Sequence, residues 1–277
     1  MAKSRQIVSL EKALEKMQCG TLKGRCVAIT FDDGYRDNYE IAMNLLKSKG
    51  IPADFFIPVS PIDRGYPYWW DYLDSVIRKN KILFLKWLRM SRFEGIAELS
   101  DLKDRQMPVS RLIVRYLNTA GKYLCADFLN AVQTEFGPYG GKRLLMNWEE
   151  LRCLHKCGFT VGSHALSHTP LTDLPLWEAK REISESGKIL SQKLGTAVKG
   201  FSYPRGAWNR EIVSMVRQAG YDYAVSTVFG SNRPGCNIYT LSRRGISDYP
   251  DIRSFFPVPM YLLEMTGLLD RLIAKRR

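Results

Sequence analysis

Apolar positions along the chain follow two rhythms. One is a set of short β-branched or aromatic runs; the other is longer stretches where apolar residues recur every third or fourth place. Arg25 to Phe31 (RCVAITF) is the first short run and reads as a buried strand, closed by the turn signal Asp32-Asp33-Gly34. Tyr39 to Lys49 has the helical rhythm, with Gly50 placed to end it and Pro52 beyond. Ala53 to Val59 is the next short run. Strand, helix and strand within about 35 residues predict a βαβ unit with parallel strands and a right-handed crossover.

The pattern then changes. Trp69 to Phe136 is rich in Leu, Lys, Arg and aromatic residues at helical spacing, and predicts three or four helices inserted into the α/β framework, not a second domain. Alternation resumes at Asn147, an N-cap with Glu150 three places on, whose helix ends at Gly158 before the strand Phe159 to Gly162. Leu176 to Leu194 predicts a long amphipathic helix stopped by Gly195. Val198 to Tyr203 and Tyr223 to Thr227 read as strands on either side of the helix Asn209 to Ala219. A βα order repeated in this way predicts helices outside a parallel sheet or barrel, with chemistry collected at the C-terminal strand ends.

Composition narrows this little. The 277 residues are 45% hydrophobic and 12% aromatic, which excludes disordered, collagen-like and coiled-coil chains. Lys and Arg number 41 against 28 Asp and Glu, and the resulting +13 charge favours an anionic partner such as a phosphorylated substrate or a membrane surface. None of the six Cys forms a CxxC pair; Cys153 and Cys157 read as half-buried neighbours on one helix face. Reduced thiols and an N-terminus without a signal-peptide core lead us to expect a cytoplasmic protein. No apolar run reaches the roughly 18 residues of a bilayer span.

Three predicted strand ends carry polar residues: Asp32-Asp33, Ser163 to His168, and Tyr203 to Trp208. His164 and His168, two of only three histidines, are four residues apart, so both imidazoles can reach one metal ion in a turn or short helix. Two imidazoles and a carboxylate leave coordination positions open, as catalytic sites require. Adjacent aspartates before a glycine read either as a plain turn or as a pair that divides the labour, one binding a cation and one acting as base, since like charges so close favour a cation beside them.

Thr30-Phe31-Asp32-Asp33-Gly34, His164-Ala165-Leu166-Ser167-His168 and Phe201 to Gly206 resemble, in order and separation, the first three motifs of the polysaccharide deacetylases, carbohydrate esterase family 4. The likeness covers about Arg25 to Asp248, and Trp69-Trp70-Asp71 with Arg243-Arg244-Gly245-Ile246 looks like bacterial members of surface-polysaccharide pathways. It implies a distorted (β/α) barrel at 25-249 with a helical insertion at about 69-146, after an N-terminal helix in 1-24. The implied activity is metal-dependent removal of an N-acetyl group from an amino sugar of a polysaccharide, glycolipid or sugar-nucleotide precursor. By the same resemblance Asp33, His164 and His168 hold the metal, zinc first, with cobalt, nickel or iron as alternatives. Asp32 is the implied general base, and Tyr203, Pro204, Arg205 and Trp208 are expected against the substrate, with the Tyr66 to Trp70 aromatics as further stacking faces.

Departures from the family pattern matter as much. Ser202 stands where the family has an Arg that orients the base, so Arg244 or Arg205 is expected to serve. No histidine follows His168, which leaves the family's late His acid missing and Asp248 as the expected substitute. Residues 250-277 form an apolar face with a basic end, suited either to an anionic membrane or to docking on the barrel. Competing readings are a catalytically weakened sugar-binding protein, a deformylase or other C–N amidohydrolase, and a non-haem iron oxygenase; no nucleic-acid motif is recognised and no nucleic acid is expected as a partner.

Overall fold

The computed structural model of the chain describes residues 6–22, 24–101 and 108–245. Residues 246–277, which include Asp248 and the expected C-terminal helix, lie outside the described residues. Two compact units divide the chain: residues 1–65 with 145–277, and residues 66–144.

In the first unit β1 (Gln6–Ile7) and β2 (Cys26–Val27) form a small parallel pair. β3 (Thr30–Phe31), β4 (Asp54–Ile57), β5 (Thr160–Ser163), β6 (Gly200–Ser202), β7 (Tyr223–Phe229) and β8 (Leu241–Arg243) follow one another, all parallel, in a six-stranded sheet. Sequential parallel order with helical crossovers is what the βα alternation predicts. The sheet curls until Arg243 of β8 reaches Thr30 of β3, Nη1 to Oγ1 at 3.2 Å.

Arg25 to Phe31, expected as one strand, is two. Its partner changes midway: the Val27 carbonyl accepts from Val8 N–H, whereas the Ile29 carbonyl accepts from Asp54 N–H. Beyond β4 the expected strand gives way at Val59 to the short helix Val59–Arg64. The expected helix after Asp33 begins as a π-helical turn, Asn38–Met43, and continues as Asn44–Ser48.

Side chains alternate across the sheet. Phe55 stacks on Phe31 at 4.8 Å and meets the edge of Phe159, while the next residue, Phe56, packs with Leu10, Leu14, Tyr223, Val225 and Leu241. The helix Leu10–Gln18 therefore fills the inner face of the curled sheet, and Ser9 caps it with a side-chain oxygen on Lys12 N–H. On the outside, Asn147 and Glu150 form a reciprocal capping box at the start of Trp148–Lys156. Leu176–Leu194 lays Ala179, Ile183 and Leu190 against the sheet and ends at Gly195, whose φ of 70° suits glycine.

The second unit holds five helices among the described residues, where three or four were expected: Trp69–Lys79, Lys81–Met90, Glu94–Asp101, Val109–Thr119 and Lys122–Phe136. The extra break falls at Asn80, which ends one helix and caps the next by accepting from Leu83 N–H. Leu73, Phe84, Leu88, Ile113, Leu117, Phe128 and Val132 form a core of its own. Within its aromatic cluster Tyr68 and Trp70 stack on each other at 4.4 Å. Among the described residues no helix is long and apolar enough to cross a membrane.

Asp54, at the buried start of β4, accepts from Leu10 N–H at 3.0 Å and so anchors the inner helix. Burial pushes its carboxyl up to about 6. The folded chain thus holds this proton more tightly than the unfolded one, and its contribution to stability is lost as pH rises from about 4 through about 6. Asp54→Asn keeps an oxygen for Leu10 and removes the charge. Urea melts at pH 4.5 and 7.5 should show a smaller loss of stability at the higher pH in the variant, by up to about 2 kcal/mol.

Candidate metal centre

Asp33, His164 and His168 come together at the C-terminal ends of β3 and β5. Asp33 Oδ1 lies 3.4 Å from His164 Nε2 and 3.0 Å from His168 Nε2, and the ligand atoms of all three fall within 4.8 Å of one another. Tetrahedral ligands bonded to zinc at 2.0–2.1 Å are separated by about 3.3 Å, so little movement is needed to hold such an ion. His164 is 2% exposed and its Nδ1 lies 2.7 Å from the Ser202 carbonyl. A carbonyl only accepts, so Nδ1 carries the proton, and in the neutral imidazole the Nε2 lone pair faces Asp33. An imidazole lone pair then faces a carboxylate oxygen, with a second imidazole nitrogen beside it; that contact needs a proton or a metal cation between its partners.

The electrostatics agree. Burial would raise the Asp33 pKa, but hydrogen bonds and charge from His164 and His168 outweigh it and hold the carboxyl well below the usual carboxylate range. Burial opposes charging of His164, yet Asp32 and Asp33 draw its pKa up. His168 is held below the ordinary value by its burial, with the His164 and Arg205 charges adding to the effect. The site attracts one positive charge into its centre, and a divalent cation meets that demand with the donors present.

Backbone geometry marks the same place. The side-chain-bearing residues with left-handed φ among the described residues are Asp33 (71°), Ala165 (64°), His168 (66°) and Arg205 (56°), and all four belong to the three motif loops. Each such residue costs about 1–2 kcal/mol. Gly206 follows Arg205 at φ 70°, where a Cβ would stand 2.0 Å from Thr227 Oγ1. That close approach seats the third loop on β7.

Asp32 is paired with an arginine. Arg243 Nη1 donates to Asp32 Oδ1 at 2.8 Å and Nη2 to Oδ2 at 2.6 Å, a bidentate pair. Its remaining donors reach Thr30 Oγ1, Ser202 Oγ and the Ser226 carbonyl. Five donors, five acceptors. Ser202 Oγ closes the set by donating to Asp32 Oδ2 at 3.3 Å.

Sequence reasoning missed Arg243. Neighbouring residues at a strand end point to opposite sides, so Arg244, expected at Asp32, instead lies over the Phe229 ring at 4.8 Å and donates to Ser231 Oγ. The available signal was Leu241-Ser242-Arg243, apolar-polar alternation in a strand too short to stand out. Arg205 keeps an exposed side chain near His168, and Trp208 is 38% exposed. Tyr203 and Pro204 are buried: the Tyr203 hydroxyl donates to the Tyr239 carbonyl and its ring packs on Phe201, so it offers no face to a sugar.

The polysaccharide deacetylase family profile matches residues 20–83 and 125–224. The chain belongs to the polysaccharide deacetylase family. A poly-β-1,6-N-acetyl-D-glucosamine N-deacetylase of Staphylococcus aureus (strain MSSA476) is 28% identical over 159 residues, 57% of this chain and 53% of that protein. The chain spans about half the length of the curated relatives it matches. Its fold is that of the Streptococcus pyogenes deacetylase PplD in complex with acetate (TM-score 0.56, 14% identity, 87% of this chain and 74% of that one). IcaB from Ammonifex degensii has it too (TM-score 0.54, 17% identity, 88% and 78%). Arg243 lies beyond the residues that the family profile matches.

Misplacing a reacting group by about 1 Å costs about 10²-fold in rate. Arg243→Met is therefore expected to lower acetate release from N-acetylated amino-sugar oligomers by about that factor while metal content stays unchanged, and Arg244→Met to stay within a few-fold of wild type. Parallel kcat and metal-content measurements on the two variants check it.

Proposed function

We propose that the chain is a metal-dependent N-deacetylase acting on an N-acetylated amino sugar. The observation that carries this is the His164 tautomer: Nδ1–H is committed to the Ser202 carbonyl, which leaves Nε2 facing Asp33 Oδ1 beside His168 Nε2. Asp33, His164 and His168 would hold the cation, and an N/O donor set suits zinc, cobalt, nickel or iron. When bound, such an ion polarises an amide carbonyl and acidifies water.

The chain's own groups supply the rest. Asp32 accepts the proton of the attacking water. Arg243 occupies one lone pair on each Asp32 oxygen and Ser202 Oγ takes the second on Oδ2, which leaves one on Oδ1 for that proton, so the carboxylate is held without being blocked. Trp208 offers a flat exposed face beside the loop that carries Arg205, suited to a sugar ring. The +13 charge and the exposed Arg205 favour an amino sugar on an anionic carrier, a lipid pyrophosphate or a nucleotide, over a neutral free oligosaccharide.

One observation favours a second reading, a sugar-binding protein with little turnover. The histidines are His155, His164 and His168, and His155 sits in the helix Trp148–Lys156, so no third imidazole is at the centre to protonate the leaving amine. The test is metal content by plasma mass spectrometry, wild type beside His168→Ala, followed by acetate release. We expect about one divalent ion per chain, lost in the variant, and metal-dependent acetate release that is faster on a lipid- or nucleotide-linked amino sugar than on an uncharged oligomer. Absence of metal from wild type after incubation with zinc overturns the hydrolase; metal with sugar binding but no acetate leaves the second reading.

A further inference from the structure

Two of the five residues in the loop His164 to His168 stand in the left-handed region, so the loop does not hold its shape by local preference. Its backbone partners show what does. His164 N–H donates to the Ile57 carbonyl within the sheet, and Ala165 N–H reaches Ser163 Oγ at 3.3 Å. Leu166 N–H and Ser167 N–H both donate to one oxygen, Glu182 Oε2, at 2.9 and 2.8 Å. On the carbonyl side, Ala165 and Leu166 accept from Val59 and Ser60 N–H.

Glu182 lies in the helix Leu176–Leu194, on the face that buries Ala179, Ile183 and Leu190, and it is only 4% exposed. A carboxylate there is costly to desolvate, and an apolar side chain would suit that face as its neighbours do. Among the described residues no cation forms an ion pair with it. What it has is the pair of N–H groups between the two histidines. One turn later Ser186 Oγ lies 2.7 Å from Ser163 Oγ, so the same helix also reaches Ala165 N–H through Ser163.

The geometry points to Glu182 as a positioning residue of the metal centre, holding Leu166 and Ser167 so that His168 stays turned toward Asp33. This rests on the metal-centre reading of Asp33, His164 and His168. Groups that orient metal ligands without touching the metal are typically worth about 10–100-fold in metal affinity. Glu182→Gln keeps an oxygen acceptor of the same reach; Glu182→Leu removes it at similar volume; Glu182→Asp draws it back by one methylene.

The test is the zinc dissociation constant of the full chain, by competition with a chromophoric chelator, with the absorption spectrum of the cobalt-loaded protein as a report on ligand geometry. Melting of the metal-free protein is followed separately. Glu182→Leu and Glu182→Asp are expected to bind zinc about 10–100-fold more weakly with an altered cobalt spectrum, and Glu182→Gln to remain within a few-fold of wild type. Ile183→Ala, which removes only packing from the same helix, should lower the melting temperature and leave the zinc constant alone. The inference is overturned if Glu182→Leu, or Glu182→Asp where the leucine variant does not fold, melts earlier yet binds zinc with the wild-type constant and spectrum. Wild type that binds no zinc overturns the metal-centre reading beneath it, which is a different failure.

Discussion

Arg243 ties the last strand of the sheet to the loop that leaves the first, and the arrangement of the site depends on that tie. β3 is two residues long and hydrogen-bonds to β4. Left as the edge of an open sheet, so short a strand would fix the Asp32-Asp33 turn poorly. The guanidinium spans the seam from the Ser226 carbonyl on β7 to Thr30 and Asp32, and draws in Ser202 from β6. One planar group thus sets the distance between three strand ends. Ser202, at the end of β6, carries no charge of its own; the positive charge at Asp32 arrives from across the seam, and the serine is its hydrogen-bond partner.

The three motif loops share a physical logic. Each contains a side-chain-bearing residue with left-handed φ, and each is over-determined by contacts from elsewhere in the first unit. The Gly34 carbonyl accepts from Met146 N–H, the histidine loop is gripped from both sides, and Gly206 closes on Thr227. Strain of this kind persists only where surrounding bonds hold it. Its counterpart is that the imidazoles of His164 and His168 and the carboxylate of Asp33 face one another across 3.4 and 3.0 Å.

Much of this was legible in the sequence because it rests on local rules. Asn147 with Glu150, the span Leu176 to Leu194 and the helix from Asn209 onward are set by caps and period, and they stand where those signals put them. The motif spacing brought Asp33, His164 and His168 to notice, and family membership brought the expected curled α/β sheet. What stayed hidden is non-local. Arg25 to Phe31 reads as one strand because nothing in its composition says that its partner changes at Ala28. Tyr203 looks like a platform because amphipathic rings serve equally in cores and sites; only the Tyr239 carbonyl over its hydroxyl decides for the core. Arg243 and Arg244 are chemically identical neighbours, and which one meets Asp32 depends on how far the sheet curls before β8 is laid down.

The inserted helices carry a hydrophobic cluster, from Leu73 to Val132, with its own buried aromatics. That cluster sits among Trp69, Trp70 and Trp87, half of the chain's six tryptophans, so loosening of residues 66–144 is expected to change the tryptophan emission of the chain.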